Sequence, residues 1–231
     1  MLHLAAQVSV RASVEDPPGS AQHNVLGFVN VLDAARRAGV KRVVYASSAS
    51  AFGDPGELPL SESSPLAPLS PYGLEKSCNE QYAALFKQIF GLSALGLRYF
   101  NVYGPRQDPA SPYTGVINKF ADRLRAGQPL TVFGDGGQTR DFIFVKDVAR
   151  VNVAALAGMQ DGALCVGTGH STSLLGLIAA LAACAGRTPQ IRHATPVVGD
   201  IRHSAMTPAR LHDWFGIRDM TPLAEGLKSL V

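Results

Sequence analysis

Apolar residues recur at helical spacing through Asn24-Val25-Leu26-Gly27-Phe28-Val29-Asn30-Val31-Leu32-Asp33-Ala34-Ala35, which predicts a helix beginning after a Pro17-Pro18-Gly19 turn and ending at Gly39. The pattern then changes. Val40-Lys41-Arg42-Val43-Val44-Tyr45-Ala46-Ser47-Ser48, with β-branched Val40, Val43 and Val44, reads as a buried strand running into a polar end. A surface loop rich in Pro, Ser and acidic residues is expected over Phe52 to Pro71. A second helix is predicted from Tyr72 to Phe90, with Pro71 ahead of it and Gly91 as its stop. Leu92 to Phe100 forms the next strand, leading into a polar loop from Asn101 to Pro112. Beyond it lie a helix from about Gly115 to Leu124, a short strand over Pro129 to Phe133, the Gly134-Asp135-Gly136-Gly137 turn, a helix opening near Lys146-Asp147 and an apolar helix over 174–184. Helix and β-branched strand in alternation predict an α/β fold with a mostly parallel sheet. In such sheets the carboxyl ends of the strands, here Ser48, carry the site.

Composition narrows the function. The chain has 231 residues, 46% of them hydrophobic, enough for one globular unit or a large and a small lobe. A net charge of +3 without a long basic run, and 7% aromatics, do not point to nucleic acid. The apolar start, Met1-Leu2-His3-Leu4-Ala5-Ala6, lacks a basic flank and meets Gln7, Ser9 and Arg11 almost at once, so neither a signal peptide nor a membrane span is expected. Cys78, Cys165 and Cys184 are odd in number and far apart, which argues against disulfides and a zinc cluster and for the cytosol. His3, His170 and His203 show no ligand spacing, so no metal site is expected.

Tyr72 and Lys76 stand four apart, on one face of a helix. An ammonium beside a phenol favours the phenolate, and the tyrosine could then accept a proton near neutral pH. Ser48, at the end of the preceding strand, could bridge to a substrate oxygen. A tyrosine and lysine at this spacing also occur together by chance; the strand-terminal serine, the loop and the helix-initial pair in that order strengthen the chemical reading. Arg106, Arg140 and Arg202 could clamp a diphosphate, though surface arginines are commonly just solvated.

Taken together, these segments resemble the extended short-chain dehydrogenase/reductase family, in its UDP-sugar 4-epimerase branch. His3 to Gln7 is similar to the family's cofactor-touching loop, Asn24 to its helix asparagine, and Ser47-Ser48-Ala49-Ser50-Ala51-Phe52-Gly53 to its serine segment. Pro71-Tyr72-Gly73-Leu74-Glu75-Lys76 resembles the catalytic element, and Arg98-Tyr99-Phe100-Asn101-Val102-Tyr103-Gly104-Pro105-Arg106 the signature that follows it. Phe133 to Ile143, running on to Asp147-Val148-Ala149, is similar to the nucleotide-sugar block.

The resemblance implies a Rossmann-like parallel sheet, incomplete here, with a smaller mixed α/β carboxyl-terminal lobe. Residues 1–108 would be the remainder of the NAD-binding domain, and 109–231 mainly the substrate-binding lobe, with some segments returning to the first. It implies NAD as cofactor, contacted by Ala5, Ala6, Gln7, Asn24, Ser47, Tyr72, Lys76 and Tyr99. A UDP-sugar would be met by Ser48, Ser50, Asn101, Arg106, Val132, Arg140, Arg202 and Ser204. Tyr72 would be the general base, Lys76 would lower its pKa and bind the nicotinamide ribose, and Ser48 would orient the sugar 4-hydroxyl. Hydride would pass from sugar C4 to NAD and return to the opposite face of a rotated 4-keto sugar.

Other branches fit less well. Sugar 4,6-dehydratases carry Thr-Asp-Glu where this chain has Ser48-Ala49-Ser50, and decarboxylase relatives carry Glu at the place of Ser50. Aligning Gly199-Asp200 with the family's pair puts small Ser204 where a tyrosine restricts relatives to plain hexoses. N-acetylhexosamines are therefore expected, with UDP-GlcNAc and UDP-GalNAc as the pair, and UDP-glucose/galactose or a uronic acid pair as alternatives. Val197 stands where the family commonly has a diphosphate-binding Arg, which leaves that task to Arg140 and Arg202. A full-length member should have about seventy residues before His3, including the Gly-rich pyrophosphate turn, which leaves a sheet edge open and a non-catalytic remnant as a further alternative. The family also implies a homodimer through helices near 22–38 and 72–90.

Overall fold

The computed structural model describes residues 1–54, 56–107, 115–196 and 201–231. In chain order its elements begin with β1 (Leu2–His3), α1 (Val10–Glu15), α2 (Pro17–Ala21), a π-helical turn (Gln22–Leu26) and α3 (Gly27–Arg37). Next come β2 (Arg42–Ser48), a 3-10 turn (Ala49–Phe52), α4 (Pro71–Phe90), β3 (Ser93–Tyr99), β4 (Asn101–Tyr103), α5 (Val116–Arg125), β5 (Leu130–Phe133) and β6 (Thr139–Phe144). The remainder is α6 (Val145–Ala157), β7 (Gly162–Val166), β8 (Ser171–Ser173), α7 (Leu174–Ala185), β9 (Ile191–Ala194), α8 (Ala209–Phe215) and α9 (Leu223–Leu227).

The main sheet runs β1-β2-β3-β7, parallel throughout, with Ser48 level with Tyr99 in register. Its two longest strands are apolar through their middles, Val43 to Ala46 and Ala94 to Leu97, because helices cover both faces. Val43 and Tyr45 point to one side, onto Phe28 and Leu32 of α3 and Ala83 and Phe86 of α4. Val44, Leu95 and Leu97 point to the other, onto Val148, Val151 and Ala155 of α6 and Leu211 of α8. Each buried Val, Leu or Phe among them contributes about 1.5–3 kcal/mol. At the amino ends of the strands, Arg42 donates to Ala155 O (2.8 Å), Gln160 O (2.7 Å) and Ser93 Oγ (2.8 Å), while Asp161 accepts from Ser93 Oγ (2.7 Å), the Ala94 amide (2.9 Å) and Lys87. That end of the sheet is bolted shut, and the carboxyl ends are left for chemistry.

The second lobe holds a three-stranded sheet, β4-β6-β8, and the parallel pair β5-β9. Ile117, Phe120 and Leu124 of α5, Leu130 and Val132 of β5, Leu177 and Leu181 of α7 and Leu227 of α9 close its core. The α6 helix follows β6 directly and carries the chain back onto the main sheet.

The α/β reading and the principal helices match the expectation, with the predicted ends one or two residues out. Three differences stand out. Pro17-Pro18-Gly19 is not a turn before the helix but the first turn of α2, where Asp16 caps the Gly19 amide at 3.1 Å. Proline's missing N–H costs nothing at that place. A short helix, α1, precedes it, capped by Ser9. Strands β7, β8 and β9 are legible only through their partners, since each is five residues or shorter. Among the described residues no helix is long and apolar enough to cross a membrane.

Candidate active site

Ser48 ends β2 and caps the 3-10 turn, its Oγ accepting from the Ser50 amide at 3.1 Å. The start of α4 presses directly on this turn. A Cβ on Gly73 would come within 2.5 Å of Ser50 O, so only glycine allows the approach. Ser70 caps α4 by accepting from the Gly73 amide at 3.1 Å, and the Tyr72 amide donates to Ser13 Oγ, also at 3.1 Å. Tyr72, the residue before Gly73, is thereby set beside Ser48, which the spacing of 24 residues could not establish by itself.

Tyr72 and Lys76 share a helix face as expected, with Lys76 Nζ 5.6 Å from the Tyr72 ring centroid. Both are buried. Burial pushes the Tyr72 phenol upward, and the Glu75 charge adds to this, while Ser48 beside it works in the opposite sense. The expected lowering of Tyr72 by Lys76 is therefore not what governs this phenol: at this depth desolvation outweighs the neighbouring charge. Lys76 itself is brought down to about 8, by burial, against the opposing pull of Glu75. Its Nζ donates to Ala46 O at 2.9 Å.

Behind the pair lies a buried polar network. The π-helical turn closes with the Gly27 amide donating to Gln22 O, and it carries Asn24, 3% exposed, inward. Asn24 Oδ1 accepts from the Gln7 amide (2.8 Å), and its Nδ2 donates to Gln7 O (2.8 Å) and to Glu75 Oε2 (2.6 Å). Ser20 Oγ donates to the same Glu75 oxygen at 2.9 Å. Ala5 and Ala6 lie in the segment that Gln7 anchors, Ala5 exposed and Ala6 half-buried.

Two candidate cofactor contacts have other partners. Ser47 Oγ donates to Glu80 Oε1 at 2.6 Å, and Tyr99 Oη to Asn152 Oδ1 at 2.6 Å. Burial holds Tyr99 up to about 12. Ser47 serves the sheet: its hydroxyl points back to a carboxylate that also binds Arg98.

The residues expected to meet the substrate form a second group. Thr139 and Arg140 of β6 meet the segment 201–204, with the Thr139 amide donating to Arg202 O (3.0 Å) and the Ser204 amide to Thr139 O (3.1 Å). Leu60 pairs with Met206, which ties this segment to the loop that follows Ser48. Arg140 Nη1 donates to Thr139 O at 2.8 Å. Asp141 next to it is fully buried and accepts from the Thr168 amide and hydroxyl and from the Gly169 amide, so the strand presenting Arg140 is fixed. Arg202 holds Asp135 of the Gly-rich turn with both Nη atoms, at 2.8 and 2.6 Å, so a diphosphate would have to displace that carboxylate. The Val132 side chain is packed in the lobe core at 0% exposure, which leaves its backbone as the only means of touching a ligand. Asn101 and Arg106 are exposed, Arg106 in the left-handed region at φ 70°. Ser50 lies half-buried in the 3-10 turn. Val197, Gly199 and Asp200 fall outside the described residues. Ser13, Ser20, Glu75, Glu80, Asp135 and Asn152 escaped sequence reading; their partners lie far along the chain or across elements.

The profile of the NAD dependent epimerase/dehydratase family matches residues 1–166. The chain belongs to this family. It is similar to a UDP-glucose 4-epimerase of Mycolicibacterium smegmatis, 40% identical over 233 residues that span 100% of this chain and 74% of the relative. Among solved structures it resembles the UDP-N-acetylglucosamine 4-epimerase of Methanobrevibacter ruminantium in complex with UDP-N-acetylmuramic acid, with TM-score 0.96 and 33% identity over 99% of this chain and 74% of that one. It also resembles the NAD complex of the Thermus thermophilus UDP-glucose 4-epimerase, with TM-score 0.90 and 37% identity over 99% of this chain and 75% of that one. The protein is thus a Rossmann-like enzyme of an NAD-dependent family. Its own residues fit that cofactor. Among the described residues Lys76 Nζ binds only Ala46 O, so a buried ammonium with three donors keeps two for ribose hydroxyls, next to a buried phenol.

Proposed function

We propose that this protein is a UDP-sugar 4-epimerase acting on the UDP-GlcNAc/UDP-GalNAc pair. The observation that carries the epimerase reading is Ser48 beside Tyr72, with Lys76 one turn further along the same buried helix face. Ser48 Oγ orients the sugar 4-hydroxyl, and Tyr72 Oη takes and later returns its proton. Lys76 and Tyr72 hold the nicotinamide ribose, and the Gln7 segment borders the cofactor. Bound NAD supplies a hydride acceptor and donor at the sugar carbon. Arg140, and Arg202 once released from Asp135, neutralise the diphosphate. Asn101, Arg106, Ser50 and the backbone at Val132 complete the sugar-nucleotide contacts. Small Ser204, held by Thr139 and Ser171, leaves room for an N-acetyl group.

The test is a panel of UDP-sugars with added NAD, followed by separation of the C4 epimers. Interconversion of the N-acetylated pair is expected. Turnover confined to plain hexoses or to uronic acids would overturn the Ser204 argument and leave the epimerase reading standing. No turnover of any pair would overturn both.

We further propose a cytosolic homodimer, in keeping with three free cysteines. Leu74, Tyr82, Leu85 and Ile89 expose one apolar face of α4, and Leu26 stands exposed at the start of α3. Two shallow grooves lie between α4 and the stretch from α2 through the π-helical turn, lined by Pro18, Val25 and Tyr82 in one and by Pro17, Leu69 and Leu74 in the other. Light scattering should give twice the chain mass, and Leu85→Glu together with Ile89→Glu should give monomers; a parent protein that is monomeric at tens of micromolar would sink the idea.

A further inference from the structure

We propose that Glu75 is a positioning residue of this site: its buried carboxylate orients the Asn24 amide, so the helix carrying Tyr72 and Lys76 and the Gln7 segment are held as one unit. The inference rests on the catalytic reading of Tyr72 and Lys76.

The geometry is specific. Asn24 pins the Gln7 backbone from both sides, accepting from its amide and donating to its carbonyl, each at 2.8 Å. A carboxamide can do this in only one of its two orientations, with Nδ2 toward the carbonyl and Oδ1 toward the amide. Glu75 Oε2 accepts from that same Nδ2 at 2.6 Å, and an ionised carboxylate offers no donor. A flipped Asn24 would set Oδ1 against the carboxylate. Glu75 thus selects the orientation that Gln7 needs. Ser20 completes the clamp, donating to Glu75 Oε2 at 2.9 Å and accepting from Gln7 Nε2 at 3.0 Å.

The arrangement is costly, which argues for a role. Glu75 is 4% exposed, and its buried Oε1 has no partner among the described residues. A half-satisfied buried carboxylate is a poor device for stability alone. Its charge also bears on both neighbours, raising Lys76 and raising Tyr72. The uncharged Ser20 and Asn24 face it from α2 and the π-helical turn, and His3 of β1 faces Lys76. The Glu75 charge therefore favours the protonated form of Lys76 and disfavours the Tyr72 phenolate.

The experiment uses the whole chain with Glu75→Gln and Ser20→Ala. Lys76 is titrated by NMR of reductively methylated lysines, its signal assigned with Lys76→Arg, and amide exchange is followed over residues 5–24. In Glu75→Gln, Lys76 should titrate at lower pH, the segment should exchange faster, and kcat should fall about ten- to a hundredfold with the sugar-nucleotide KM nearly unchanged. In Ser20→Ala the segment should loosen while the Lys76 titration stays in place. Unchanged exchange and an unchanged Lys76 titration in Glu75→Gln would overturn the proposal, as would a kcat loss that merely follows a lower melting temperature. The titration and exchange need no substrate, so they stand or fall apart from the epimerase reading.

Discussion

Tyr72→Phe is expected to lower kcat by about a thousandfold, in the range that a lost general base costs, while KM for the sugar nucleotide changes little. The fold should not notice. Phenylalanine keeps the buried ring beneath the Lys76 ammonium, and the helix-start bonds to Ser13 and Ser70 involve backbone amides that the substitution leaves alone. Only the hydroxyl beside Ser48 is removed. The pH profile of the parent enzyme follows from the two shifts. The base works ionised, and burial has raised its pKa, so kcat/KM should climb with pH through neutrality. Lys76 lies at about 8, so above that pH it loses the charge that favours phenolate and the climb should flatten or reverse. Steady-state kinetics from pH 6 to 10, with circular dichroism as the check on folding, decide the matter. A Phe variant within tenfold of the parent would remove Tyr72 from the chemistry.

The second large effect is on stability. Arg98→Met should destabilise the protein by about 3–5 kcal/mol, the cost of stranding a buried charge. Arg98 grips both oxygens of Glu80, at 2.9 and 2.7 Å, with the two side chains only 6% and 11% exposed. It also donates to Glu62 O at 3.3 Å and lies 4.8 Å over the Phe52 ring. Methionine fills much of the space but leaves Glu80 with Ser47 as its one remaining donor among the described residues. At about 2–4 °C per kcal/mol for a chain of this size, the melting temperature should drop by roughly 10 °C. Adding Glu80→Leu should restore most of the loss, since an apolar pair avoids the desolvation that the ion pair only offsets. Urea unfolding of the single and double variants measures both numbers. A single-variant loss under about 1 kcal/mol would mean that the pair is solvated in solution. Because Ser47 precedes Ser48, activity should fall with stability here, in contrast to Tyr72→Phe.

Local pattern was enough for the α/β class, the strands β2 and β3, the helix α4 and the pairing of Tyr72 with Lys76. Each depends on residues close in sequence: apolar runs that need two covered faces, a proline and a serine at a helix start, a four-residue spacing on one helix. The electrostatics were not local. The charge of Lys76 suggested a lowered phenol, whereas the depth at which Tyr72 is buried reversed the sign. Arg202 was expected to serve a diphosphate and is joined to Asp135, 67 residues away. Val132 looked available to a ligand, but core packing took its side chain. Glu75 was passed over one position before Lys76, because its partners Ser20 and Asn24 are more than fifty residues distant.

The sequence by itself determined what is set by periodicity and near-neighbour chemistry, namely which segments become strand or helix and which side chains share a helix face. Only the tertiary structure decided burial, the partner of each polar group and the sign of each pKa shift. Those depend on how much water and which charges surround an atom, and in a packed α/β fold the atoms that displace the water come from elements far apart in the chain.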